Sequence, residues 1–217
     1  MTPKLKICGV NDSSFAVEAA RLGADFLGFI FAGASPRSVT PEEAGAIRAQ
    51  VLAALGGENR PLFAGVFTDT PVDEIAATAA LVPLDTIQLH GDYGDEDAMM
   101  LKRLGLEVWR LHPFGGTVAD AVLVDGSDGV RRGGTGRLAD WPAVDGLKRR
   151  GLRVVLAGGL SAANIEAAAA TGADVLDVNS SLETSSGVKS VRLLHDFFAR
   201  FAPLRRARRC RGEGHML

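Results

Sequence analysis

The feature that most constrains this chain is a repeated alternation of short apolar runs with longer, alanine-rich stretches. Eight of the apolar runs have the length and composition of buried strands, at residues 5–8, 25–31, 62–67, 86–89, 107–112, 121–125, 153–157 and 175–179. In most of the stretches between them, apolar residues recur at helical spacing, and several of these stretches end in glycine. Strands that are apolar throughout, each followed by a helix, predict a parallel sheet covered by helices.

Two architectures accommodate eight such units, a closed (β/α)8 barrel and an open doubly wound sheet. Periodicity does not separate them, but the polar residues do. The residues at or just after predicted strand ends include Cys8, Arg37, Asp125, Gly158, Gly159, Asn179, Ser180 and Ser181. In a barrel these ends meet around one mouth, whereas in an open sheet they would be scattered. The sequence therefore predicts a single α/β domain, a (β/α)8 barrel over residues 1–202.

The last fifteen residues, 203–217, differ from the rest of the chain in charge. They contain five arginines and one glutamate, so the remaining residues hold 19 basic and 25 acidic side chains. A mildly acidic body argues against nucleic acid as a partner. Because residues 203–217 offer little apolar surface to bury, we expect them to form a basic, flexible C-terminal tail.

Cysteine content and hydropathy point to a cytoplasmic protein. The only cysteines are Cys8 and Cys210, too few for a disulfide framework or a CxxC zinc site. No apolar run is long enough to span a bilayer, and no signal peptide is evident, so we expect no membrane partner. The four histidines show no metal-ligand spacing, so we expect no metal.

A phosphate site is predicted from the loops that follow the seventh and eighth strands. Gly158 and Gly159 permit a close approach of the backbone to an anion, and Asn179, Ser180 and Ser181 supply further donors. Either loop taken alone is better explained as an ordinary turn, with Ser161 capping a helix. Their occurrence in the order that barrels use for phosphate favours a phosphorylated small-molecule substrate.

Two ionisable residues close apolar strands and could form an acid–base pair. Cys8 ends the first strand, and Asp125 ends the sixth. A lone cysteine is more often an inert core residue, and Asp125 could equally cap a turn. Together, a thiolate that removes a proton and a carboxyl group that donates one would suit an isomerisation without a cofactor. Arg37 follows the second strand, where its planar guanidinium could bind a carboxylate or simply be solvated.

One glycine pattern resembles a nucleotide fingerprint but lies in the wrong context. Gly134, Gly136 and Ala139 match G-x-G-x-x-A. That motif should form a tight turn directly after a strand, yet it begins nine residues after the nearest predicted strand end. We therefore do not predict a dinucleotide site.

Eight short motifs carry a family resemblance, in the order Lys6-Ile7-Cys8-Gly9, Gly28-Phe29-Ile30-Phe31, Ser35-Pro36-Arg37, Gly65-Val66-Phe67, Gln88-Leu89-His90-Gly91, Asp125 with Gly133-Gly134-Thr135-Gly136, Leu156-Ala157-Gly158-Gly159-Leu160, and Asp177-Val178-Asn179-Ser180. As an ordered set they resemble the phosphoribosylanthranilate isomerase family. The resemblance implies a barrel that catalyses the Amadori rearrangement of N-(5′-phosphoribosyl)anthranilate to 1-(2-carboxyphenylamino)-1-deoxyribulose 5-phosphate in tryptophan biosynthesis.

The resemblance also implies roles for individual residues. Cys8 would be the general base, Asp125 the general acid, and Arg37 the ligand of the anthranilate carboxylate. The implied substrate contacts are Gly158, Gly159, Asn179, Ser180 and Ser181 to the phosphate, and Asp177 to the sugar hydroxyls. Gln88 and His90 would have a structural or supporting role. No cofactor is implied, and we expect a monomer or a homodimer.

Two alternatives remain at this point. Another phosphate-binding barrel enzyme, such as an indole-glycerol-phosphate synthase or a ribulose-phosphate epimerase, would share the last two loops. The synthase would need a lysine acid and a glutamate base at strand ends, and the epimerase would need paired aspartates with metal-binding histidines. The strand ends of this chain offer neither set. A barrel that only binds ligands would not need both Cys8 and Asp125.

Overall fold

The first eight strands of the chain pair in sequence order and close into a parallel barrel. They are β1 (Lys4–Ile7), β2 (Phe26–Ile30), β3 (Leu62–Phe67), β4 (Thr86–Leu89), β5 (Glu107–Leu111), β6 (Ala121–Val124), β7 (Val154–Leu156) and β8 (Val175–Val178). The computed structural model describes residues 2–56, 59–113, 118–126 and 141–212, with the backbone alone for 206–212. The predicted barrel is confirmed, and every strand end lies within one residue of its expected position.

Helices cover the outside of the barrel. The described helices are α1 (Ser13–Arg21), α2 (Pro41–Leu55), α3 (Val72–Leu81), α4 (Asp95–Arg103), α5 (Trp141–Arg149), α6 (Ile165–Ala170) and α7 (Val191–Gly212). Helix α2 shows how local sequence sets a boundary. The Thr40 hydroxyl accepts a hydrogen bond from the Glu43 amide, the Glu43 carboxylate accepts one from the Thr40 amide, and Pro41 occupies the first turn.

After β8 the chain departs from the repeating unit. A 3₁₀ helix (Ser180–Leu182) leads into a hairpin formed by β9 (Glu183–Ser185) and β10 (Val188–Lys189). The sequence analysis did not predict the hairpin, because strands of three and two residues are too short to show a period.

An apolar plug fills the inside of the barrel at its amino-terminal end. Phe26 and Trp109 meet edge to face at 5.0 Å, and Leu123, Val155 and Val175 pack around them. The carboxyl-terminal ends of the strands are left for polar side chains. In β1, the alternation of strand side chains places Lys6 and Cys8 on the same inner face.

Four aspartates repeat one arrangement at the amino-terminal end of the barrel. Each directly precedes an even-numbered strand, and its carboxylate accepts a hydrogen bond from a backbone amide of the preceding odd-numbered strand. The pairs, here called the aspartate clamps, are Asp25 with Leu5 at 2.7 Å, Asp85 with Phe63 at 2.8 Å, Asp120 with Val108 at 2.8 Å and Asp174 with Val154 at 2.7 Å. A basic side chain pairs with each clamp, namely Arg205, Arg60, Lys102 and Lys148 in the same order.

The predicted boundary at residue 202 does not coincide with the end of a helix. Helix α7 continues through Pro203 to Gly212. Leu204 packs against the core, while Arg205 donates hydrogen bonds to the Gly23 carbonyl and to the Asp25 carboxylate. The first residues of the predicted tail therefore belong to the barrel, because an arginine there completes a clamp that composition alone does not reveal. The expected flexibility of residues 213–217 falls outside the described part of the chain.

Within the described residues, no helix has both the length and the apolar character needed to cross a membrane.

Candidate active site

A cavity of about 360 Å³ opens at the carboxyl-terminal ends of the barrel strands. Eight of the nine predicted site residues line it, namely Cys8, Arg37, Asp125, Gly158, Gly159, Asp177, Asn179 and Ser180. Ser181 is not among the lining residues, and its hydroxyl oxygen is buried in the 3₁₀ helix without a hydrogen-bond partner in the described part of the chain. The structure thus brings together residues that the sequence spreads over the carboxyl-terminal ends of five strands.

Cys8 lies directly after β1 in a buried, charged environment. Its backbone amide donates to the Val178 carbonyl at 2.8 Å, which ties it to β8. Two residues earlier, the Lys6 ammonium is fully buried and lies 2.7 Å from Asp177 Oδ2. Burial raises the pKa of the Cys8 thiol, and the positive charge of Lys6 opposes that rise. Burial is the largest single influence on the Lys6 pKa and would lower it, but the charges of Asp177 and Cys8 and the hydrogen bonds to them together raise that pKa. The Lys6 side chain therefore stays protonated beside the thiol.

Asp125 lies across from a histidine that the sequence analysis regarded as supporting. The His90 Nε2 atom is 3.4 Å from Asp125 Oδ2, and both side chains are about nine-tenths buried. On its other side, His90 Nδ1 lies 3.5 Å from Gln88 Nε2. Both His90 and Gln88 line the cavity, so they form part of its wall beside Asp125.

The loop after β7 packs closely against Asp125. Gly158 has a φ of +84°, and a Cβ atom there would lie 2.3 Å from the Gly126 amide nitrogen and 2.8 Å from Asp125 Oδ1. Only glycine fits this position. The Asn164 side chain holds the loop, because it donates to the Gly159 carbonyl and accepts from the Ser161 amide. The glycine pair thus brings bare backbone to the rim of the cavity, as a phosphate site requires.

Arg37 is engaged by a carboxylate of the protein itself. Its Nε and Nη2 atoms donate to the two carboxylate oxygens of Glu183 at 2.7 and 2.8 Å. Lys189 also donates to Glu183, at 2.9 Å. Burial alone would raise the pKa of Glu183, but the hydrogen bonds from Arg37 and Lys189 prevail and lower it to about 2. The sequence analysis singled out Arg37 but not Glu183, which pairs with it, or Lys189, which pairs with Glu183.

Comparisons with known proteins agree with this geometry. A family model described as N-(5′-phosphoribosyl)anthranilate (PRA) isomerase matches residues 5–200. The chain belongs to the N-(5′-phosphoribosyl)anthranilate isomerase family. It is 36% identical over 204 residues to the N-(5′-phosphoribosyl)anthranilate isomerase of Pelobacter propionicus, an alignment that covers 89% of this chain and 93% of the relative. The function implied by the sequence resemblance, an isomerase acting in tryptophan biosynthesis, is confirmed.

Solved structures of PRA isomerases share the barrel. The crystal structure of phosphoribosyl anthranilate isomerase from Thermus thermophilus is 33% identical, with a TM-score of 0.80, and the match covers 93% of this chain and 99% of that one. A second structure is 23% identical with a TM-score of 0.75 and covers the same shares; it is described as a complex with reduced 1-(o-carboxyphenylamino)-1-deoxyribulose 5-phosphate. The second likeness supports the fold alone.

Three ionisable residues of this PRA isomerase site were not predicted. Lys6, Glu183 and Lys189 are all buried beside predicted residues. For Lys6 a signal was present, since a lysine within an apolar strand shares the inward face with Cys8. Residues 133–136 of the family motif lie outside the described part of the chain. In the described part, no group of three or more His, Cys, Asp or Glu side chains is arranged to hold a metal ion.

Proposed function

We propose that this PRA isomerase works by general acid–base catalysis, with Cys8 as the base and Asp125 as the acid. The observation that carries the proposal is that one cavity is lined by a thiol and a carboxyl group, each placed directly after a barrel strand. An aldose-to-ketose isomerisation moves protons within one molecule, so it needs one acid and one base and no cofactor.

The reaction begins at the furanose ring. Asp125 donates a proton to the ring oxygen while the bond from that oxygen to C1′ breaks, and the nitrogen lone pair forms an iminium. The iminium acidifies the proton on C2′, which the Cys8 thiolate removes to give an enolamine. Protonation at C1′ and loss of the C2′ hydroxyl proton then give the ketone. Substrate and product contain the same atoms.

The surroundings of Cys8 suit a base that must lose its proton before it acts. Burial raises the thiol pKa, which favours the protonated form in the empty site, while the adjacent Lys6 ammonium stabilises the thiolate. The Asp177 carboxylate holds that ammonium at 2.7 Å.

Substrate binding is divided among three groups of residues. Arg37 binds the anthranilate carboxylate. Gly158, Gly159, Asn179 and Ser180 bind the phosphate, whereas Ser181, which the sequence resemblance also assigned to the phosphate, does not line the cavity. Asp177 binds the sugar hydroxyls, and its Oδ1 atom supports this because it is buried without a hydrogen-bond partner in the described part of the chain. A hydroxyl donor would satisfy that oxygen.

Two broader properties belong to the same proposal. A catalytic thiol requires a reducing compartment, which favours the cytoplasm. For the assembly, we propose a monomer or a homodimer, which sedimentation of the purified chain would decide.

The direct test is a fluorescence assay of the purified chain with N-(5′-phosphoribosyl)anthranilate. We expect loss of substrate fluorescence far above the spontaneous rate, together with stoichiometric 1-(2-carboxyphenylamino)-1-deoxyribulose 5-phosphate in the chromatogram. Loss of fluorescence that yields anthranilate would indicate hydrolysis instead. A rate no greater than that of buffer alone would refute the proposed function.

A further inference from the structure

Glu183 and Lys189 lie on the hairpin that follows β8, and both side chains are withdrawn from solvent. The Glu183 side chain is 3% exposed and that of Lys189 is not exposed at all. The Glu183 carboxylate accepts four hydrogen bonds, two from Arg37, one from Lys189 and one from the Gly187 amide at 3.2 Å. Charges buried in this way are unfavourable unless they are paired in good geometry. The arrangement therefore fixes the Arg37 side chain in one orientation.

The orientation leaves one edge of the guanidinium available. Glu183 occupies the edge formed by Nε and Nη2. The Nη1 atom of Arg37 makes no hydrogen bond with any residue that the structure describes, and Arg37 lines the cavity. A guanidinium held along one edge presents its remaining donors in a fixed plane, where a carboxylate binds best.

Lys189 connects the Arg37–Glu183 pair to Asn179, which also lines the cavity. Its ammonium donates to the backbone carbonyl of Asn179 at 3.0 Å and to the Asn179 side-chain oxygen at 2.8 Å. Arg37 and Asn179 also meet above Gly9, where an added Cβ atom would lie 2.8 Å from Asn179 Oδ1 and 2.9 Å from Arg37 Cδ. One ion cluster thus holds residues from the loops after β2 and β8 at a set separation.

We propose that Glu183 is a positioning residue that holds Arg37 in the orientation needed to recognise the substrate carboxylate, and that Lys189 ties this unit to Asn179. The proposal rests on the role proposed above for Arg37. It makes Glu183 a determinant of specificity, because losing it weakens recognition of a carboxylate without disturbing the acid and the base. The negative charge of Glu183 orients Arg37 but also repels the substrate carboxylate, so it improves the geometry of binding and weakens the electrostatic attraction.

The test compares two substrates in the Glu183→Gln variant, namely N-(5′-phosphoribosyl)anthranilate and N-(5′-phosphoribosyl)aniline, which lacks the carboxylate. Glutamine keeps one acceptor oxygen for Lys189 but presents an N–H group to Arg37. We expect kcat/KM to fall by about tenfold or more for the anthranilate substrate and to change little for the aniline substrate. Glu166→Gln, on the exposed face of α6, is the matched control and should alter neither value.

A double-mutant cycle with Arg37→Lys separates this inference from the function on which it rests. If Glu183 acts through Arg37, adding Glu183→Gln to Arg37→Lys produces little further loss. Equal penalties on both substrates in Glu183→Gln, while Arg37→Lys remains selective, would show that Glu183 is merely structural. Equal penalties in Arg37→Lys would instead overturn the role of Arg37 itself. If Glu183→Gln does not fold, Glu183→Asp replaces it in the test. Aspartate keeps the charge but is too short to reach both Arg37 and Lys189. The proposal then requires a smaller loss of kcat/KM that is again confined to the anthranilate substrate.

Discussion

The Nζ atom of Lys6 lies 2.7 Å from Oδ2 of Asp177, although 171 positions separate the two residues in the chain. The contact joins the inner faces of β1 and β8, the two strands whose pairing closes the barrel. Cys8 follows Lys6 on the same face of β1. The Lys6–Asp177 ion pair therefore also sets the charge around the proposed catalytic base.

Replacing Lys6 with methionine should make Cys8 harder to deprotonate. The Cys8 pKa is already raised by burial, and Lys6 is the main charge that opposes this, so its loss raises the pKa further. Each unit of increase leaves about tenfold less thiolate at neutral pH. The rate of Cys8 alkylation, measured against pH in a Cys210→Ser background, should shift to higher pH. Because Lys6→Met leaves Asp177 buried without its cation, Lys6→Met combined with Asp177→Asn is the control for destabilisation. An unshifted alkylation profile in a folded variant would contradict the assigned effect of Lys6.

Cys8→Ala should abolish nearly all turnover while leaving the fold and ligand affinity intact. A positioned general base contributes about 10²- to 10⁴-fold to the rate, and alanine cannot replace it. The measurements are kcat for the isomerisation and the Kd for reduced 1-(2-carboxyphenylamino)-1-deoxyribulose 5-phosphate. A kcat within about tenfold of wild type would rule out Cys8 as the base.

Asp125→Asn should stop the reaction before the ring opens. Asparagine preserves the shape of the side chain but has no acidic proton, so we expect a loss in kcat of about 10²- to 10⁴-fold. Like Cys8→Ala, it should also prevent solvent deuterium from entering C2′ of recovered substrate, here because no iminium forms to acidify the proton that Cys8 removes. Deuterium exchange at the wild-type rate in the Asn variant would show that ring opening does not depend on Asp125.

The ion pairs of Glu183 should make part of the stability depend on pH in the acid range. Its pKa falls from 4.5 to about 2 on folding, so its contribution is complete above about 4.5 and is lost as pH falls through about 2. In urea unfolding between pH 6 and pH 2, the difference in unfolding free energy between wild type and Glu183→Gln should be constant above about pH 4.5 and shrink as pH falls below that value. For Glu166→Gln the difference should stay near zero at every pH. A Glu183→Gln difference that is constant across this range would mean that the carboxylate is not ionised in the cluster.

Arg205 should contribute to stability although it lies beyond the boundary expected from the sequence. It pairs with Asp25, whose carboxylate holds the Leu5 amide of β1. A partly exposed ion pair contributes at most about 1 kcal/mol. We therefore expect Arg205→Ala to lower Tm by about 2–4 °C and to leave kcat/KM unchanged. The control is Arg192→Ala on the same helix, where the side chain is 89% exposed and 3.9 Å from Asp196. Equal melting temperatures for the two variants would show that the contacts of Arg205 do not stabilise the barrel.

Local sequence patterns predicted the barrel and most residues of its cavity, because buried strands and the polar residues that follow them are recognisable within short segments. Cys8, Asp125 and Gly158 were identifiable by position alone. The pairing of Arg37 with Glu183 spans 146 positions and involves a hairpin strand of three residues, so no periodic signal could reveal it. Arg205 was missed for a related reason, since its partner Asp25 lies 180 positions away and composition marked it as tail. Sequence analysis could not identify contacts between distant residues that form only when the barrel closes.

The aspartate clamps divide the amino-terminal face of the barrel into four segments of two strands. Each clamp carboxylate satisfies an amide of the odd-numbered strand just before it, and none of the four reaches across to a strand of the next segment. A single strand–helix unit taken alone would leave one of these amides without its acceptor. At this face the smallest segment that satisfies its own strand amides is therefore a pair of strand–helix units. The backbone repeats eight times around the barrel, whereas the aspartate–amide hydrogen bonds repeat four times.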